Sequence, residues 1–300
     1  MSQQEVWTVR RLLEWTTDFF KSRSSDSPRL EAEVLLAFAL KCKRIDLYTS
    51  FDDVVSDETK ATFRGLVQRR GRGEPVAYLV GHKEFYSLDF KVDSRVLVPR
   101  PETEQLVLET IEYVKATSQA DPQHEWCLCD IGTGSGNIAL TLAKNLPKAV
   151  IVATDASSDA LDVAQENAQR LGLVGRVEWF CSDLFASIPS DRRFDVIVSN
   201  PPYVTRAEYE SLAPMVRDFE PKMALLAGES GLDIVDRLAR ESAAFLVEGG
   251  RILIETSPSV IDGAVQAFEK ESYWSEIAII NDFASRRRFV SAKKKAAANK

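Results

Sequence analysis

The strongest constraint on the fold is an alternation, from residue 126 onward, of short apolar segments with segments of helical periodicity. Near-continuous apolar strands joined by helices indicate a parallel sheet that is covered on both faces. Only a short NDFASR link separates the last two strands, which predicts an antiparallel pair closing one edge of the sheet. The predicted strands are residues 126–132, 149–155, 176–183, 194–200, 250–256, 276–280 and 286–292. The sequence therefore predicts an α/β fold with a seven-stranded, mostly parallel sheet.

The region before this sheet has a different sequence pattern. Short helical segments fill residues 1–74, and one of them begins at Pro28, directly after the helix-capping residue Ser27. The next 25 or so residues are rich in aromatic and β-branched side chains, which predicts a small hairpin. We therefore expect four regions: a helical N-terminal domain (1–74), a β-hairpin linker (75–99), the α/β domain (100–291) and a basic, disordered tail (292–300).

Composition narrows the function classes. The 300-residue chain has a net charge of −7, which argues against duplex DNA as its main partner. Its two histidines exclude a three-histidine zinc site and offer no catalytic triad, and no metal is expected. Its four cysteines form no CxxC pair, which favours a reducing compartment. Without a signal-peptide core or a membrane-length apolar run, we expect a cytoplasmic monomer with no membrane partner.

A glycine-rich turn follows the first predicted strand. The sequence CDIGTGSGNIAL places Gly132, Gly134 and Gly136 before the next helix, where glycines let a ligand approach the backbone at the carboxyl edge of the sheet. The spacing is G-x-G-x-G, with Asn137 next, rather than the dinucleotide pattern G-x-G-x-x-G. This spacing disfavours an NAD-dependent reductase.

Acidic residues end the next two strands. Asp155 ends the second strand, where a carboxylate can accept hydrogen bonds from both hydroxyls of a ribose. Asp183 ends the third, where it can accept from the exocyclic amine of an adenine while Leu184 contacts the ring. Either aspartate alone is explained as a helix N-cap. A glycine turn and two acids at three consecutive strand ends predict a nucleoside site.

The fourth strand ends in the elbow Asn200-Pro201-Pro202-Tyr203. With the D-x-G-x-G-x-G turn that begins at Asp130, and with Asp155 and Asp183, the elbow resembles the class I S-adenosylmethionine-dependent methyltransferases over residues 100–291. The resemblance implies a Rossmann-like methyltransferase sheet and S-adenosylmethionine as the cofactor. It also implies the cofactor-binding residues Asp130, Gly132, Thr133, Gly134, Ser135, Gly136, Asp155, Asp183, Leu184 and Asn200.

The elbow suits methylation of a planar amide or aromatic amino group, whose nitrogen is barely basic. The Asn200 side-chain oxygen and the Pro201 carbonyl can accept the two N–H groups, which concentrates electron density on the nitrogen and aims its lone pair. Pro202 helps to hold these acceptors rigid, and Tyr203 can lay its ring against the planar group. We therefore predict Asn200, Pro201, Pro202 and Tyr203 as catalytic residues that also bind the substrate.

Two further segments distinguish a protein amide from a nucleobase. The segments VLVPRPETEQLV (96–107) and VRDFEPKMALLAGESGLDIV (216–235) resemble signature segments of the release-factor glutamine methyltransferases. The helical domain followed by a hairpin linker resembles that family too. The resemblance implies methylation of the glutamine in the Gly-Gly-Gln loop of class I peptide chain release factors, which the N-terminal helices help to dock. It also implies substrate-side roles for Arg100, Pro101, Glu102 and Glu220.

The chain departs from the pattern of this family at two places. The family has an acid and then a glycine after the fifth strand, where this chain has Thr256 and Ser257. Near the C-terminus it has a glycine where this chain has Ser285. Both places lie away from the predicted cofactor and elbow residues, so they bear on local loop shapes more than on the chemistry.

Three competing functions fit the sequence less well. A methyltransferase for adenine or cytosine in nucleic acid would need a basic groove, which the negative net charge of this chain argues against. We therefore expect no nucleic-acid substrate. An NAD-dependent reductase is disfavoured by the glycine spacing. A non-enzymatic binding protein built on an inactive methyltransferase fold is disfavoured because Gly132, Asp155, Asp183 and Asn200 are all present.

Overall fold

The computed structural model describes residues 6–296, which form two compact units. The first unit contains the chain up to Gly81 together with Pro214–Phe219, and the second contains His82–Ala213 and the chain from Glu220 onward. None of the helices in the described part of the chain has the length and apolar character needed to cross a membrane. The α-helices are α1 (Val9–Ser22), α2 (Pro28–Leu40), α3 (Asp57–Gly71), α4 (Val76–Val80), α5 (Thr103–Ser118), α6 (Asn137–Asn145), α7 (Ser158–Arg170), α8 (Arg206–Ser211), α9 (Pro214–Arg217), α10 (Asp233–Phe245) and α11 (Ile261–Glu269).

The first unit is a small helical domain with a core of its own. Helix α2 begins at Pro28, as the sequence predicts, because proline lacks only an N–H that the first helical turn cannot use. The Ser56 hydroxyl accepts from the Thr59 N–H and caps α3. The largest fully buried side chains of this core are Leu13, Phe20, Leu35, Leu36 and Leu47.

The boundary of the helical unit lies beyond the predicted residue 74. Residues predicted as the start of the hairpin linker instead form α4, because Leu79 and Val80 are buried in the helical core. Gly81 ends this helix in the left-handed conformation, with φ +77°, which an L side chain rarely adopts. Helix α4 thus belongs to the helical domain, and the hairpin begins at His82.

The hairpin packs on the larger unit rather than serving only as a linker. Its strands are β1 (His82–Phe85) and β2 (Leu88–Lys91), which pair antiparallel. The side chains of Phe85, Leu88 and Phe90 are buried in a cluster with residues of α5 and α6. The burial of three large apolar side chains explains why the hairpin has a fixed place in this unit.

The main sheet has the predicted architecture. Its strands are β3 (Cys127–Ile131), β4 (Val150–Asp155), β5 (Val177–Cys181), β6 (Phe194–Ser199), β7 (Leu246–Glu255), β8 (Trp274–Asn281) and β9 (Arg287–Lys294). The spatial order is β5-β4-β3-β6-β7-β9-β8. The first five strands of this order are parallel to one another, and β9 is antiparallel to both β7 and β8. The predicted seven-stranded sheet with an antiparallel pair at one edge is confirmed.

Residues 292–294, expected to be part of a disordered tail, are instead part of a strand. Strand β9 continues to Lys294, because Ala292 is buried and pairs with Ile252 of β7. Lys294 also donates from Nζ to the backbone carbonyl of Leu246 at 2.7 Å. The expectation of disorder at residues 297–300 lies outside the described residues.

One buried amide ties the hairpin to the glycine-rich turn. The Asn167 side chain, on α7, is fully buried. Its Oδ1 accepts from the Lys91 N–H at 2.6 Å, and its Nδ2 donates to the carbonyls of Lys91 and Ser135 at 3.0 and 2.9 Å. Three backbone groups, of which the Ser135 carbonyl is buried, therefore depend on a single buried side chain for these hydrogen bonds.

Replacing this amide should be costly. Asn167→Ala removes a fully buried amide and its three hydrogen bonds to the backbone, and should lower the free energy of unfolding by roughly 2–4 kcal/mol in urea titrations. Asn145→Ala is the matched control, because Asn145 makes one hydrogen bond, to the carbonyl of Thr141 within α6. It should cost less than about 1 kcal/mol. Equal losses in the two variants would contradict the special role of Asn167.

Candidate active site

A cavity of about 380 Å³ opens at the carboxyl ends of the parallel strands. Pockets of this size suit a small-molecule ligand, and the carboxyl edge is where open α/β sheets bind ligands. The cavity is lined from the turns that follow β3, β4, β5 and β6, and from the segments around residues 95–103 and 221–224. The predicted residues in the lining are Arg100, Gly132, Thr133, Gly134, Ser135, Asp155, Asp183, Leu184, Asn200, Pro201 and Pro202.

The glycine-rich turn after β3 is held open by Asp155. Gly132 and Gly134 have φ values of +74° and +54°, and a Cβ on either would meet no atom within 4 Å. These positions thus combine a backbone that suits glycine with free space in front of it. The Asp155 carboxylate accepts from the N–H groups of Gly134 at 2.8 Å and Ser157 at 2.9 Å. Burial raises the pKa of Asp155, and these backbone donors oppose the rise.

Asp130 supports the turn from beneath. It is fully buried and stands outside the cavity lining. Its Oδ2 accepts from the Thr133 hydroxyl at 2.6 Å and from the Ala139 N–H, in the first turn of α6, at 3.2 Å. Among the described residues, Asp130 Oδ1 has no hydrogen-bond partner. Burial raises the pKa of Asp130 to about 7.

The turn after β5 presents Asp183 and Leu184 to the cavity. Asp183 is exposed and its Oδ1 accepts from Arg237 Nη1 at 2.8 Å, so this carboxylate has a cationic partner that the sequence did not suggest. Leu184 is buried with φ +51°, an uncommon conformation for a leucine. Such backbone strain is often found at ligand sites, and here it turns the chain at the cavity wall.

The elbow after β6 connects to two residues that sequence reasoning missed. Asn200 Nδ2 donates to Thr103 Oγ1 at 3.1 Å, and Thr103 Oγ1 donates to Glu255 Oε2 at 2.7 Å. Thr103 is the first residue of α5 and lines the cavity, whereas Glu255 ends β7 behind it. Both side chains are about 1% exposed, so water does not compete for these hydrogen bonds. Glu255 is an acidic residue at the carboxyl end of a parallel strand, and the same signal in the sequence predicted Asp155 as a site residue.

Tyr203 lies behind the cavity rather than in its lining. Burial and the charge of Glu255 raise the pKa of its phenol. Burial also raises the pKa of Glu255, to about 7, while Thr103 and Arg288 oppose the rise. Tyr203 is half-buried and lies near the charges of Glu255 and Arg288. Its predicted stacking on the substrate stays a prediction.

The two signature segments are joined by a partly buried ion pair. Arg100 Nη2 lies 2.6 Å from Glu220 Oε1, and Glu220 Oε2 accepts from the Val98 N–H. The Glu220 carboxylate is almost fully buried, which raises its pKa against the opposing effect of Arg100. Arg100 lines the cavity, so Glu220 acts by holding that wall in place. The predicted residues outside the lining are Pro101, Glu102, Asp130, Gly136, Tyr203 and Glu220.

Where this chain departs from the family pattern after β7, the loop residues make local hydrogen bonds. The Thr256 N–H donates to the Arg288 carbonyl at 2.8 Å. The hydroxyls of Ser257 and Ser259 are 2.7 Å apart, and Ser259 donates to Glu208 of α8 at 2.9 Å. Ser285 has φ +60°, a conformation that glycine would adopt without strain. Hydroxyl hydrogen bonds thus link the loop after β7 to the segment that follows the elbow.

The buried acid under the glycine turn predicts a pH dependence. Asp130 ionises at about pH 7 when folded but near pH 3.8 when unfolded, so the wild type loses stability as the pH rises between these values. Asp130→Asn removes this titration with almost no change in shape. Urea titrations should show the unfolding free energy of the variant rising relative to wild type by roughly 2–3 kcal/mol between pH 5 and pH 8. A difference that does not change with pH would contradict the buried, protonated state of Asp130.

Comparison with known proteins agrees with this geometry. Residues 11–81 match the PrmC N-terminal domain, and residues 114–218 match the methyltransferase small domain. A release factor glutamine methyltransferase of Rhodopirellula baltica is 49% identical over 98% of this chain and 98% of its own length. One from Koribacter versatilis is 38% identical over 96% of this chain and 99% of its own. A third, from Geobacter sulfurreducens, is 39% identical over 90% of this chain and 91% of its own. With such similarity over nearly its whole length, this chain belongs to the release factor glutamine methyltransferase family.

Proposed function

We propose that this protein transfers the methyl group of S-adenosylmethionine to the side-chain N5 nitrogen of the glutamine in the Gly-Gly-Gln motif of class I peptide chain release factors. One observation carries the proposal. The acceptor groups of the elbow, at Asn200 and Pro201, line the same cavity as the glycine-rich turn and Asp155. The residues proposed to bind the cofactor and those proposed to bind the amide thus line one cavity, which supports this function in a chain whose relatives are named release factor glutamine methyltransferases.

The residues present fit S-adenosylmethionine. Open space faces Gly132 and Gly134, so a ligand can contact the backbone of the turn. The Asp155 and Asp183 carboxylates in the lining suit ribose hydroxyls, an adenine amine and a ligand that carries a positive charge. Leu184 offers an apolar wall. When bound, the cofactor supplies an electrophilic methyl group on a sulfonium sulfur.

The chain's own contribution is to position a weak nucleophile. In the proposed complex, Asn200 Oδ1 and the Pro201 carbonyl accept the two N–H groups of the glutamine amide, which fixes the nitrogen and increases its electron density. Pro201 and Pro202 restrict the backbone, so these acceptors keep their places. The new N–C bond would form as the bond between the methyl group and the sulfonium sulfur breaks, which leaves a neutral thioether, and the nitrogen would lose one proton to solvent. Because positioning and electrostatics supply the catalysis, no dedicated base is required.

The wall formed by Arg100 and Glu220 completes the substrate side of the proposal. Their partly buried ion pair holds the segment before α5 against the segment after α9, at the cavity lining. We assign Arg100 to the substrate entrance, with Pro101 and Glu102 beside it, and Glu220 to its support. The predictions that the chain is a monomer and has no nucleic-acid substrate remain predictions.

The direct test is a transfer assay with methyl-labelled S-adenosylmethionine. The protein should label a class I release factor, and a release factor whose Gly-Gly-Gln glutamine is replaced by alanine should stay unlabelled. Single-stranded and duplex DNA oligonucleotides with accessible adenines and cytosines serve as the comparison substrates. Labelling of the oligonucleotides with none on the release factor would replace the proposal by a nucleic-acid methyltransferase.

Two substitutions should separate chemistry from cofactor binding. Asn200→Ala removes an acceptor for the substrate, so it should lower turnover about 100-fold or more, with a cofactor Kd within a few-fold of wild type. Asp155→Ala removes the carboxylate that holds the glycine turn, so it should weaken cofactor binding about tenfold or more. Calorimetric titration with S-adenosylhomocysteine and single-turnover assays measure the two effects. A large loss of cofactor affinity in Asn200→Ala would contradict the role given to the elbow.

A further inference from the structure

The side chain of Asn200 stands at the cavity end of a buried hydrogen-bond chain. Its Nδ2 donates to Thr103 Oγ1, and Thr103 Oγ1 donates to Glu255 Oε2. The three residues come from the end of β6, the start of α5 and the end of β7. Because Thr103 and Glu255 are almost fully buried, neither side chain can exchange its partner for bulk water.

Glu255 sets the direction of the hydrogen bonds that run from Asn200 through Thr103. When Glu255 is ionised, its carboxylate can only accept hydrogen bonds, so in that state the single hydroxyl hydrogen of Thr103 must point to Glu255. The Thr103 oxygen is then left as an acceptor, which the amide nitrogen of Asn200 satisfies. The two ends of an asparagine amide have nearly the same shape, so their hydrogen-bond partners decide which end faces which way. Asn200 Oδ1 is therefore directed away from Thr103, at the cavity lining.

We propose that Thr103 and Glu255 are positioning residues that keep the Asn200 amide oxygen directed at the substrate, and that this orientation selects glutamine over glutamate. The inference rests on the proposed function. An oxygen acceptor at the cavity can bind the N–H of a glutamine side chain, whereas a glutamate carboxylate offers it only further acceptors. A site built to hydrogen-bond one group rejects an analogue that lacks it, because the buried partner is left unpaired.

The charges around Glu255 make the hydrogen-bond chain from Asn200 to Glu255 sensitive to pH. Its carboxyl faces Arg288 of β9, Arg100 and Glu102 before α5, and Tyr203 after β6. Burial raises its pKa to about 7. Once protonated, the carboxyl can donate to Thr103, whose hydrogen is then free to turn toward Asn200 and reverse the amide. Turnover should therefore fall as the pH drops below about 7, and Glu255→Gln should lack this fall.

The test compares four variants with the wild type. Thr103→Val removes the hydroxyl at nearly constant volume, and Thr103→Ser keeps it. Thr110→Val is the matched control, because Thr110 is an equally buried threonine of α5 whose hydroxyl donates to the Leu106 carbonyl within the helix. Glu255→Gln keeps the shape but no longer imposes a direction, since its amide can either donate or accept. If Thr103→Val fails to fold, Glu255→Gln still tests the positioning role.

Each protein is loaded with S-adenosylhomocysteine, and its affinity is measured for a release factor with glutamine, or with glutamate, in the Gly-Gly-Gln motif. Thr103→Val and Glu255→Gln should reduce the preference for glutamine about tenfold or more. Turnover in Thr103→Val should also fall about tenfold or more, with a cofactor Kd within about twofold of wild type. Thr103→Ser should retain most of the turnover and the preference, and Thr110→Val should retain both.

The outcomes separate this inference from the function on which it rests. An unchanged preference in Thr103→Val, alongside wild-type methylation of the release factor, would overturn only the positioning role. Equal effects in Thr103→Val and Thr110→Val would also overturn it, because they would trace to the packing of α5. Failure of the wild-type protein to methylate any class I release factor would overturn the proposed function and the glutamine selectivity together.

Discussion

The register of three parallel strands determines where the chemistry of this protein can occur. Ile131 of β3 pairs with Ser199 of β6, and Ser199 pairs with Ile254 of β7. The glycine-rich turn, the elbow and Glu255 follow these residues directly in the chain, so they reach the same edge at the same height. A shift of one residue would turn each of these side chains to the opposite face of the sheet. The apolar packing on both faces of the sheet thus holds the site together.

The candidate site contains buried acidic groups whose burial costs free energy of folding. Asp130, Glu220 and Glu255 are buried acids whose pKa values are raised by burial. Asp130 is held by a hydrogen bond to the glycine-rich turn, Glu220 by one to the cavity wall, and Glu255 by one to Thr103 at the start of α5. Desolvated charges and polar groups cost free energy, which the large apolar clusters around the sheet offset. In return, the acceptors of the cavity have fixed directions before a ligand arrives, which is the condition for electrostatic catalysis.

The sequence predicted the strands and the residues at their carboxyl ends, because apolar runs and glycine spacing are local signals. Asp155 and Asn200 reach the cavity lining for that reason. Thr103 and Glu255 escaped prediction because they are 152 positions apart, and only the folded sheet brings them together. Tyr203 was expected on the substrate because it is the last residue of the elbow, but its environment is set by residues from other segments. Helix α4 was missed because its burial depends on packing with distant helices.

Strand β9 lies between β7 and β8, although it follows both of them in the chain. During synthesis, β7 therefore emerges with one edge unpaired, and that edge stays open until residues 287–294 have left the ribosome. An open edge with apolar side chains such as Ile252 and Ile254 is a template for association with other chains. The backbone bond between Thr256 and Arg288, next to Glu255, also forms only then. This edge of the sheet is thus completed only once the last strand in the chain is available for pairing.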